Sequence, residues 1–310
     1  MAIGAMMSVQ TGAAVSTWMF AAVGPVGAAF LRLALAAAFL LAICRPNPFK
    51  FSKSSMLSAI GLGLVSCCMT LFYFQAINLI PLGTASTLEY LGPFTIAVIG
   101  LKKRRDLVWP VLALAGVVML TTPWAGEFNP VGIAYGLAAG ASLGGYVVLS
   151  QRVGDSFSGM QGLAISLTVA AITASFFGAK SSINGITITI LIISAVSAIL
   201  LPLLPYALEM QALRGMTTSS FSTLMSFEPG FACVIGFVLL GQQLSFLQFA
   251  GIALVVIAGV GAVRRGQRTE PSLSPAVSNH FGRAGLSYTS CPSKVLICSA
   301  PTPHRSYRYP

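Results

Sequence analysis

Ten long apolar stretches are the feature that most constrains how this 310-residue chain can fold. A helix needs about 20 apolar residues to cross about 30 Å of hydrocarbon. Because a spanning segment must satisfy its backbone hydrogen bonds internally, the pattern predicts an all-α membrane protein with ten transmembrane helices. Short polar or Gly/Pro-containing joints separate the stretches, which lie at about 2–22, 26–44, 56–78, 82–101, 107–123, 131–150, 160–178, 187–213, 217–240 and 245–263.

The composition excludes an ordinary soluble enzyme. Only 8% of the residues are charged and 55% are apolar, with a mean hydropathy of +0.84, whereas soluble domains carry about 25% charged residues. The six cysteines form no CxxC pair, and both histidines, His280 and His304, lie near the C-terminus. Since a phosphate-binding GxxxxGK[ST] loop is also missing, we expect no metal, no cofactor, no enzymatic activity and no pumping driven by ATP in this chain.

The distribution of the 18 Lys and Arg residues predicts the orientation in the membrane. They cluster in the joints between apolar stretches and not on a basic aromatic face, so the net charge of +11 does not indicate nucleic-acid binding. If the N-terminus is cytoplasmic, 16 of the 18 fall inside, Lys180 falls outside and Arg32 lies within a span. The positive-inside rule therefore places both termini in the cytoplasm, and the polar composition of 266–310 predicts a disordered cytoplasmic tail.

The N-terminal stretch has one alternative interpretation. An apolar segment ending in small residues resembles a cleaved signal peptide, but this one begins at the initiator Met without a basic lead-in. We therefore expect it to remain as the first span.

An internal repeat relates the two halves of the chain. Shifting the sequence by 136 positions places 76–100 over 212–236 with eight identities in 25 positions. Because the shift equals five spans, an odd number, the second copy enters the bilayer from the opposite side, as in the inverted repeats of secondary transporters. The repeat-related prolines, Pro93 and Pro229, predict interrupted helices around a midplane site, although kinks between packed helices would also explain them. The other shared positions include Ser86/Ser222, Thr87/Thr223 and the Val-Ile-Gly run that ends each copy.

A separate pattern in the sixth stretch indicates helix packing. Gly132, Gly136, Gly140 and Gly144 recur every four residues and form one smooth helical face. Such faces let helix backbones approach closely in a membrane, so we assign these glycines to packing and not to a substrate path.

Ionisable residues inside the spans are the candidates for a functional site. A charge at the bilayer centre costs about 2.5–3.5 kcal/mol on insertion scales, so such residues usually face a cavity, pair with one another or carry protons. At 1.5 Å per residue, Arg32 and Glu89 lie about 10 Å below the outer face and Glu228 about 16 Å from the inner end of its span. Glu209 is close to the cytoplasmic end of its span, where we expect it to reach the interface or to meet Arg214.

Proton coupling is the hypothesis that these carboxyls suggest. Burial favours the protonated form of a carboxyl and a nearby Arg favours the ionised form, so Glu89 and Glu228 are predicted to exchange protons near neutral pH. The neighbouring hydroxyls of Ser86, Thr87, Ser222 and Thr223 would supply polar contacts. A structural ion pair between Arg32 and Glu89 is the alternative.

Three segments carry a resemblance to a known family. LPYALEMQAL (204–213) and TTSSFSTLMSFEP (217–229) resemble the eighth and ninth spans of EamA-type members of the drug/metabolite transporter superfamily, most closely those that export small amino acids, and PLGTASTLEYLGP (81–93) resembles the fourth. The similarity covers about 1–265. It implies two inverted five-helix repeats, at 1–123 and 131–265, around a central cavity in the bacterial inner membrane.

The resemblance also implies an activity and site residues. It implies export of threonine-like or homoserine-like amino acids, or of related metabolites, by proton exchange. Glu89, Glu228 and Pro229 match the acidic and proline positions of the motif, and Tyr206 lies in the matching LPY. Relatives commonly have Gly-Glu after the ninth span, whereas this chain has Gly241-Gln242, so any role of that acid is absent here.

Two other functions stay open from the sequence. The first is an EamA-type carrier of another solute class, such as a drug, a nucleoside or a lipid-linked sugar, because a fold does not fix its substrate. A non-transporting membrane scaffold is the second, and the buried acids and repeated prolines argue against it. The expected partners are a small-molecule substrate, protons and the lipid bilayer, with the oligomeric state undetermined.

Overall fold

The computed structural model describes residues 2–46, 51–99, 108–121, 129–157, 160–183, 185–205, 208 and 227–265. Within those ranges the chain forms ten α-helices, one π-helical turn and no strand, which confirms the predicted all-α class for the described residues. The helices are α1 (Ala2–Thr17), α2 (Phe20–Cys44), α3 (Lys53–Leu79), α4 (Leu82–Ile99), α5 (Val108–Thr121), α6 (Pro130–Ser156), α7 (Gln161–Ile183), α8 (Ile188–Ala198), α9 (Glu228–Leu240) and α10 (Phe246–Arg265), with the π-helical turn at Ile199–Leu203.

Several helices have the length and apolarity needed to cross a bilayer. Within the described ranges, α2, α3, α6 and α7 are each long and apolar enough to span it, and α5, α8, α9 and α10 contain shorter apolar segments. Large apolar side chains point outward, among them Leu57, Phe176 and Phe246, which are 71%, 82% and 88% exposed. Water-soluble monomers rarely expose such surfaces, so we take the outside of the bundle to face lipid.

The boundary between the first two helices differs from the prediction. The expected joint at 23–25 is a kink inside α2, where Gly24 has φ +70° and Pro25 follows. Glycine adopts that left-handed backbone without a Cβ penalty, and proline lacks the N–H that would continue the helix. A turn at Trp18 and Met19 separates α1 from α2, five residues before the expected end of the first span. Apolar periodicity does not reveal this turn because both of its residues are themselves apolar.

The eighth span is also less regular than predicted. A continuous helix was expected over 187–213, but α8 ends at Ala198 and the π-helical turn follows. Leu201 within that turn has φ −155° and ψ +112°. This extended backbone follows from Pro202, whose ring disfavours a helical conformation in the residue before it.

The packing of the bundle follows a regular pattern. The helices α2 and α7 pack against each other, as do α5 and α10, and α4 and α9. In addition, α6 packs against α3 and α4, while α1 packs against α8 and α9. Alanines dominate the core between α2 and α7. Small residues allow the close contact that stabilises helices in lipid.

The contact between α4 and α6 brings two backbones together. A Cβ added at Gly136 would lie 2.8 Å from the Leu88 side chain, and one at Gly140 would lie 2.7 Å from the Leu88 carbonyl oxygen. From the other side, a Cβ at Gly92 would collide with the Gly140 carbonyl. The glycine face of the sixth span is therefore a packing surface, as predicted.

Replacing Gly92 with Ala tests this contact. The added methyl must push α4 away from the α6 backbone, and such overpacking costs about 1–3 kcal/mol. Gly145→Ala is the matched control, because its Cβ would meet only the Val65 side chain at an ordinary 3.5 Å. We expect a clearly lower thermal unfolding temperature for G92A than for G145A in the detergent-solubilised full chain. Equal temperatures would contradict the close contact.

Candidate functional site

A set of polar side chains from five helices converges inside the bundle; we call it the polar cluster. Each of its members is at most 8% exposed. A buried polar group is costly unless it finds a hydrogen-bond partner, so the convergence points to an organised site. The members are Gln10 on α1, Arg32 on α2, Thr70 and Tyr73 on α3, Ser86 and Glu89 on α4, and Glu228 on α9.

Gln10 is the centre of the hydrogen-bond network. Its Nε2 donates to Glu228 Oε1 at 3.2 Å. Its Oε1 accepts from Ser86 Oγ at 3.2 Å and from the Tyr73 hydroxyl at 3.4 Å. The Tyr73 and Ser86 hydroxyls are also 2.7 Å apart. Since each hydroxyl has a single hydrogen, one of them donates to its neighbour while the other donates to Gln10. One carboxamide thus joins α1, α3, α4 and α9.

Glu228 occupies the start of a helix. It is the first residue of α9, and Pro229 follows it in the first turn, where its missing N–H costs no helical bond. The positive end of the helix dipole favours a carboxylate at this place. Glu228 is 2% exposed, and Gln10 is its hydrogen-bond donor. Two opposing effects therefore act on the Glu228 carboxyl. Its burial favours the protonated form, whereas the helix dipole and the hydrogen bond from Gln10 favour the ionised form.

Arg32 lies next to Glu89 without forming an ion pair with it. Its Nη2 donates to Thr70 Oγ1 at 2.9 Å, and its Cζ lies 4.6 Å from the centre of the Phe74 ring. Glu89 is near enough to interact with the guanidinium electrostatically, but no N–O distance between the two falls within 4.0 Å. The sequence left open a structural ion pair between Arg32 and Glu89. The structure does not show that ion pair.

The remaining predicted residues have mixed outcomes. Thr87 is buried, but its hydroxyl donates to the Gly83 carbonyl of its own helix at 2.7 Å. Pro93 does not interrupt its helix as predicted, because α4 continues through it from Leu82 to Ile99. Pro229 is buried in the first turn of α9. Tyr206, Ser222, Thr223, Glu209 and the basic cluster at 102–105 lie outside the described residues.

Three cluster members escaped the sequence analysis. Gln10, Thr70 and Tyr73 carry no charge and lie outside the repeated segments 76–100 and 212–236. One signal was available, since Gln10 is the only amide or charged side chain in α1. A long polar side chain in an otherwise apolar span needs a partner, and that criterion alone would have selected it.

Gln242 connects α9 to the first turn of α4. Gly241 follows the last residue of α9, Leu240, and its φ of +64° allows the Gln242 N–H to bond to the Gly236 carbonyl at 3.1 Å. The Gln242 Oε1 then accepts from the Leu82 N–H at 2.9 Å. Where relatives commonly have Gly-Glu, this chain has Gly241-Gln242, so the carboxylate is replaced by an amide. The amide oxygen of Gln242 still accepts a hydrogen bond and caps the N-terminus of α4.

Variants of Gln242 test this cap. Gln242→Ala leaves the Leu82 N–H without its acceptor, and losing a helix cap costs about 0.5–2 kcal/mol. Gln242→Glu keeps the acceptor and adds a favourable charge at a helix N-terminus, so it should unfold at or above the wild-type temperature. Gln243→Ala, at an exposed neighbour, is the control. The cap is refuted if Q242A unfolds at the same temperature as Q243A.

Comparison with known proteins places this bundle in a family. Residues 130–264 match the EamA-like transporter family. The chain is 34% identical over 262 residues to the threonine/homoserine exporter RhtA of Salmonella typhimurium (strain LT2), and equally to that of Escherichia coli (strain K12). Each alignment covers 83% of this chain and 88% of the relative. This chain belongs to the EamA-like transporter family.

The family membership confirms the resemblance found in the sequence. The chain is accordingly a membrane transporter that acts on a small molecule within a lipid bilayer. A solved crystal structure with a TM-score of 0.57 covers 85% of this chain and 96% of its own. At 19% sequence identity, that similarity concerns the fold alone.

Proposed function

We propose that this EamA-family chain exports small amino acids of the threonine and homoserine type, or closely related metabolites, from the bacterial cytoplasm in exchange for protons. The observation that carries the proposal is the polar cluster, in which Gln10 joins Glu228 to Ser86 and Tyr73 beside Arg32. Buried ionisable groups of this kind mark substrate and proton pathways in membranes. The 34% identity to threonine/homoserine exporters supports the substrate class.

The proposed architecture is ten spans arranged as two inverted five-helix repeats, at 1–123 and 131–265, followed by a cytoplasmic tail at 266–310. The packing pattern supports it. The pairs α2–α7, α4–α9 and α5–α10 each join helices that are five apart. The contacts of α1 with α8 and α9 have counterparts in those of α6 with α3 and α4. A shift by an odd number of spans gives the two halves opposite orientations.

The proposed orientation has both termini in the cytoplasm of a bacterial inner membrane. It rests on the bias of Lys and Arg toward one set of joints. In this orientation the Gln242 cap of α4 lies at the outer end of the bundle, and Glu228 lies deeper in the membrane. The polar cluster would then be reached from the cytoplasm during loading and from outside during release.

For the coupling, we assign different tasks to the two carboxyls. Glu228 takes up a proton from outside and releases it to the cytoplasm, and Gln10 keeps its side chain in place in both states. Glu89, which faces the positive charge of Arg32 without touching it, is available to the ammonium group of a bound amino acid. In this scheme the proton binds to Glu228 and the substrate ammonium binds to Glu89. The charge on one carboxyl therefore influences binding at the other.

Two alternative functions must be distinguished from amino-acid export by experiment. An EamA-type carrier of another solute class would share this fold, because fold does not determine substrate. A scaffold without transport activity would have no use for a buried network that contains Glu228, since an apolar core is cheaper to bury.

Efflux from liposomes that contain the purified full chain tests the proposal. The liposomes are preloaded with labelled threonine, homoserine, a bulky amino acid or a nucleoside, and protein-free liposomes are the control. We expect threonine and homoserine to leave fastest, and acidification of the outside to accelerate their efflux. Efflux of the nucleoside alone would favour the other carrier class, and absence of all efflux would refute transport.

A further inference from the structure

We propose that Arg32 binds the carboxylate of the transported amino acid, so that the site selects substrates with a free α-carboxylate. The inference rests on the proposed function, whose substrate class it deepens. Its starting point is an incomplete set of hydrogen bonds. The Nε and Nη1 atoms of Arg32 are buried and have no hydrogen-bond partner among the described residues.

The donor count shows how much of the guanidinium is available. An arginine carries five N–H groups and no acceptor. The bond from Nη2 to Thr70 uses one of them, whereas the single hydrogen on Nε and the two on Nη1 lack an acceptor. A buried donor without a partner costs about 1–3 kcal/mol, and more when it is charged. A ligand that accepts these hydrogen bonds would relieve this cost.

The surroundings hold the guanidinium in place before a ligand arrives. Thr70 fixes one end, and the ring of Phe74 lies 4.6 Å below Cζ. Because few side-chain rotamers remain to be frozen, binding loses little entropy. Thr70 is therefore a positioning residue for Arg32.

The charges around Arg32 indicate which anion fits. A planar guanidinium matches the geometry of a carboxylate. Glu89 lies within electrostatic range of Arg32, yet the two charges do not touch. A zwitterion complements both charges, because it offers a carboxylate to the free donors of Arg32 and an ammonium group to Glu89. A neutral or purely cationic solute would leave the donors of Arg32 unpaired.

Competition in counterflow tests the assignment. Liposomes with the full chain are loaded with unlabelled threonine, and uptake of labelled threonine is inhibited by threonine or by threoninamide at a pH where the amide is cationic. Threoninamide keeps the ammonium and the hydroxyl but lacks the carboxylate. In the wild type we expect its half-inhibitory concentration to be at least tenfold above that of threonine. Equal inhibition by the two compounds would overturn the assignment.

Variants then connect that selectivity to Arg32. Arg32→Gln should weaken threonine binding and bring the threoninamide-to-threonine ratio close to 1, whereas Arg32→Lys, which keeps the charge but loses the planar fork, should give an intermediate ratio. Arg45→Gln, the same change at the exposed end of α2, should keep the wild-type ratio. A wild-type ratio in R32Q would overturn the assignment.

A second variant covers the case in which R32Q does not fold. Thr70→Val retains Arg32 but removes its only described hydrogen-bond acceptor, so the ratio should fall while the charge remains, and an unchanged ratio would count against the assignment. Absence of threonine counterflow in the wild type would refute the proposed function, and this assignment with it. Counterflow without discrimination would refute the assignment alone.

Discussion

Replacing Glu228 with Gln is expected to abolish the acceleration of amino-acid efflux by external acid, while exchange of one amino acid for another continues. Glutamine has nearly the same shape and can still bond to Gln10, which is the hydrogen-bond partner of Glu228 in the structure. It cannot release a proton. The ratio of efflux rates with and without the pH gradient should therefore fall from a value well above 1 in the wild type to about 1 in E228Q.

The control for this prediction makes the same chemical change elsewhere. Asp155 belongs to the last turn of α6 by its sequence position, and Asp155→Asn should leave the ratio at its wild-type value. If E228Q keeps the wild-type ratio, Glu228 does not carry the coupled proton. If E228Q loses exchange as well, the separation of tasks between Glu228 and Glu89 is wrong.

Gln10→Leu is expected to lower the transport rate by at least tenfold. Leucine fills a similar volume but offers neither donor nor acceptor, so Glu228 loses its donor and the Tyr73 and Ser86 hydroxyls lose a common acceptor. Each buried polar group left unpaired costs about 1–3 kcal/mol, and 1.4 kcal/mol corresponds to a factor of ten. The initial rate of threonine counterflow measures the effect.

A neighbouring threonine provides the matched control for Gln10. Thr11 lies on the same helix, but its hydroxyl bonds only to the Met7 carbonyl of that helix. Thr11→Val should therefore transport at close to the wild-type rate. Size-exclusion profiles of both variants establish that equal amounts of folded protein are compared. Wild-type transport by Q10L would show that the network around Gln10 is not part of the path.

The all-helical fold could be predicted because its cause is local. A run of about 20 apolar residues has few alternatives to a spanning helix. The interruptions were harder to predict. The turn at Trp18 and Met19 and the end of α8 at Ala198 lie within continuous apolar sequence, where hydropathy does not change. Such breaks depend on backbone conformation around single residues, as at Gly24 and Leu201.

The sequence predicted the charged members of the candidate site, together with Ser86 at a repeat-related position, but not its other neutral members. Arg32, Glu89 and Glu228 stand out because charges are rare in lipid. Tyr73 does not, since neutral polar residues are ordinary in spanning helices, and Gln10 stands out only as the single amide or charged side chain of α1. Gln10 meets its partners across 63 to 218 positions of sequence. Only the packed bundle shows that these side chains share one place.

The two copies of the sequence repeat differ in chemistry at the position of Glu228. In the alignment at 136 positions, Glu228 corresponds to Gly92 and not to Glu89. Gly92 lets α4 approach the backbone of α6, whereas Glu228 reaches from α9 to Gln10 on α1. Equivalent places in the two halves thus serve packing in one and hydrogen bonding in the other. The second copy of the sequence repeat thus carries a carboxyl where the first carries a glycine.

Proton movement driven by substrate is the most direct test of the central claim, that the polar cluster exchanges amino acid for protons. Liposomes that contain the full chain, a pH-sensitive dye and threonine are diluted into threonine-free buffer without an imposed pH gradient. We expect the lumen to acidify as threonine leaves through the wild type, and not to acidify with E228Q. Threonine efflux through the wild type without any change in luminal pH would show that protons are not exchanged for the amino acid.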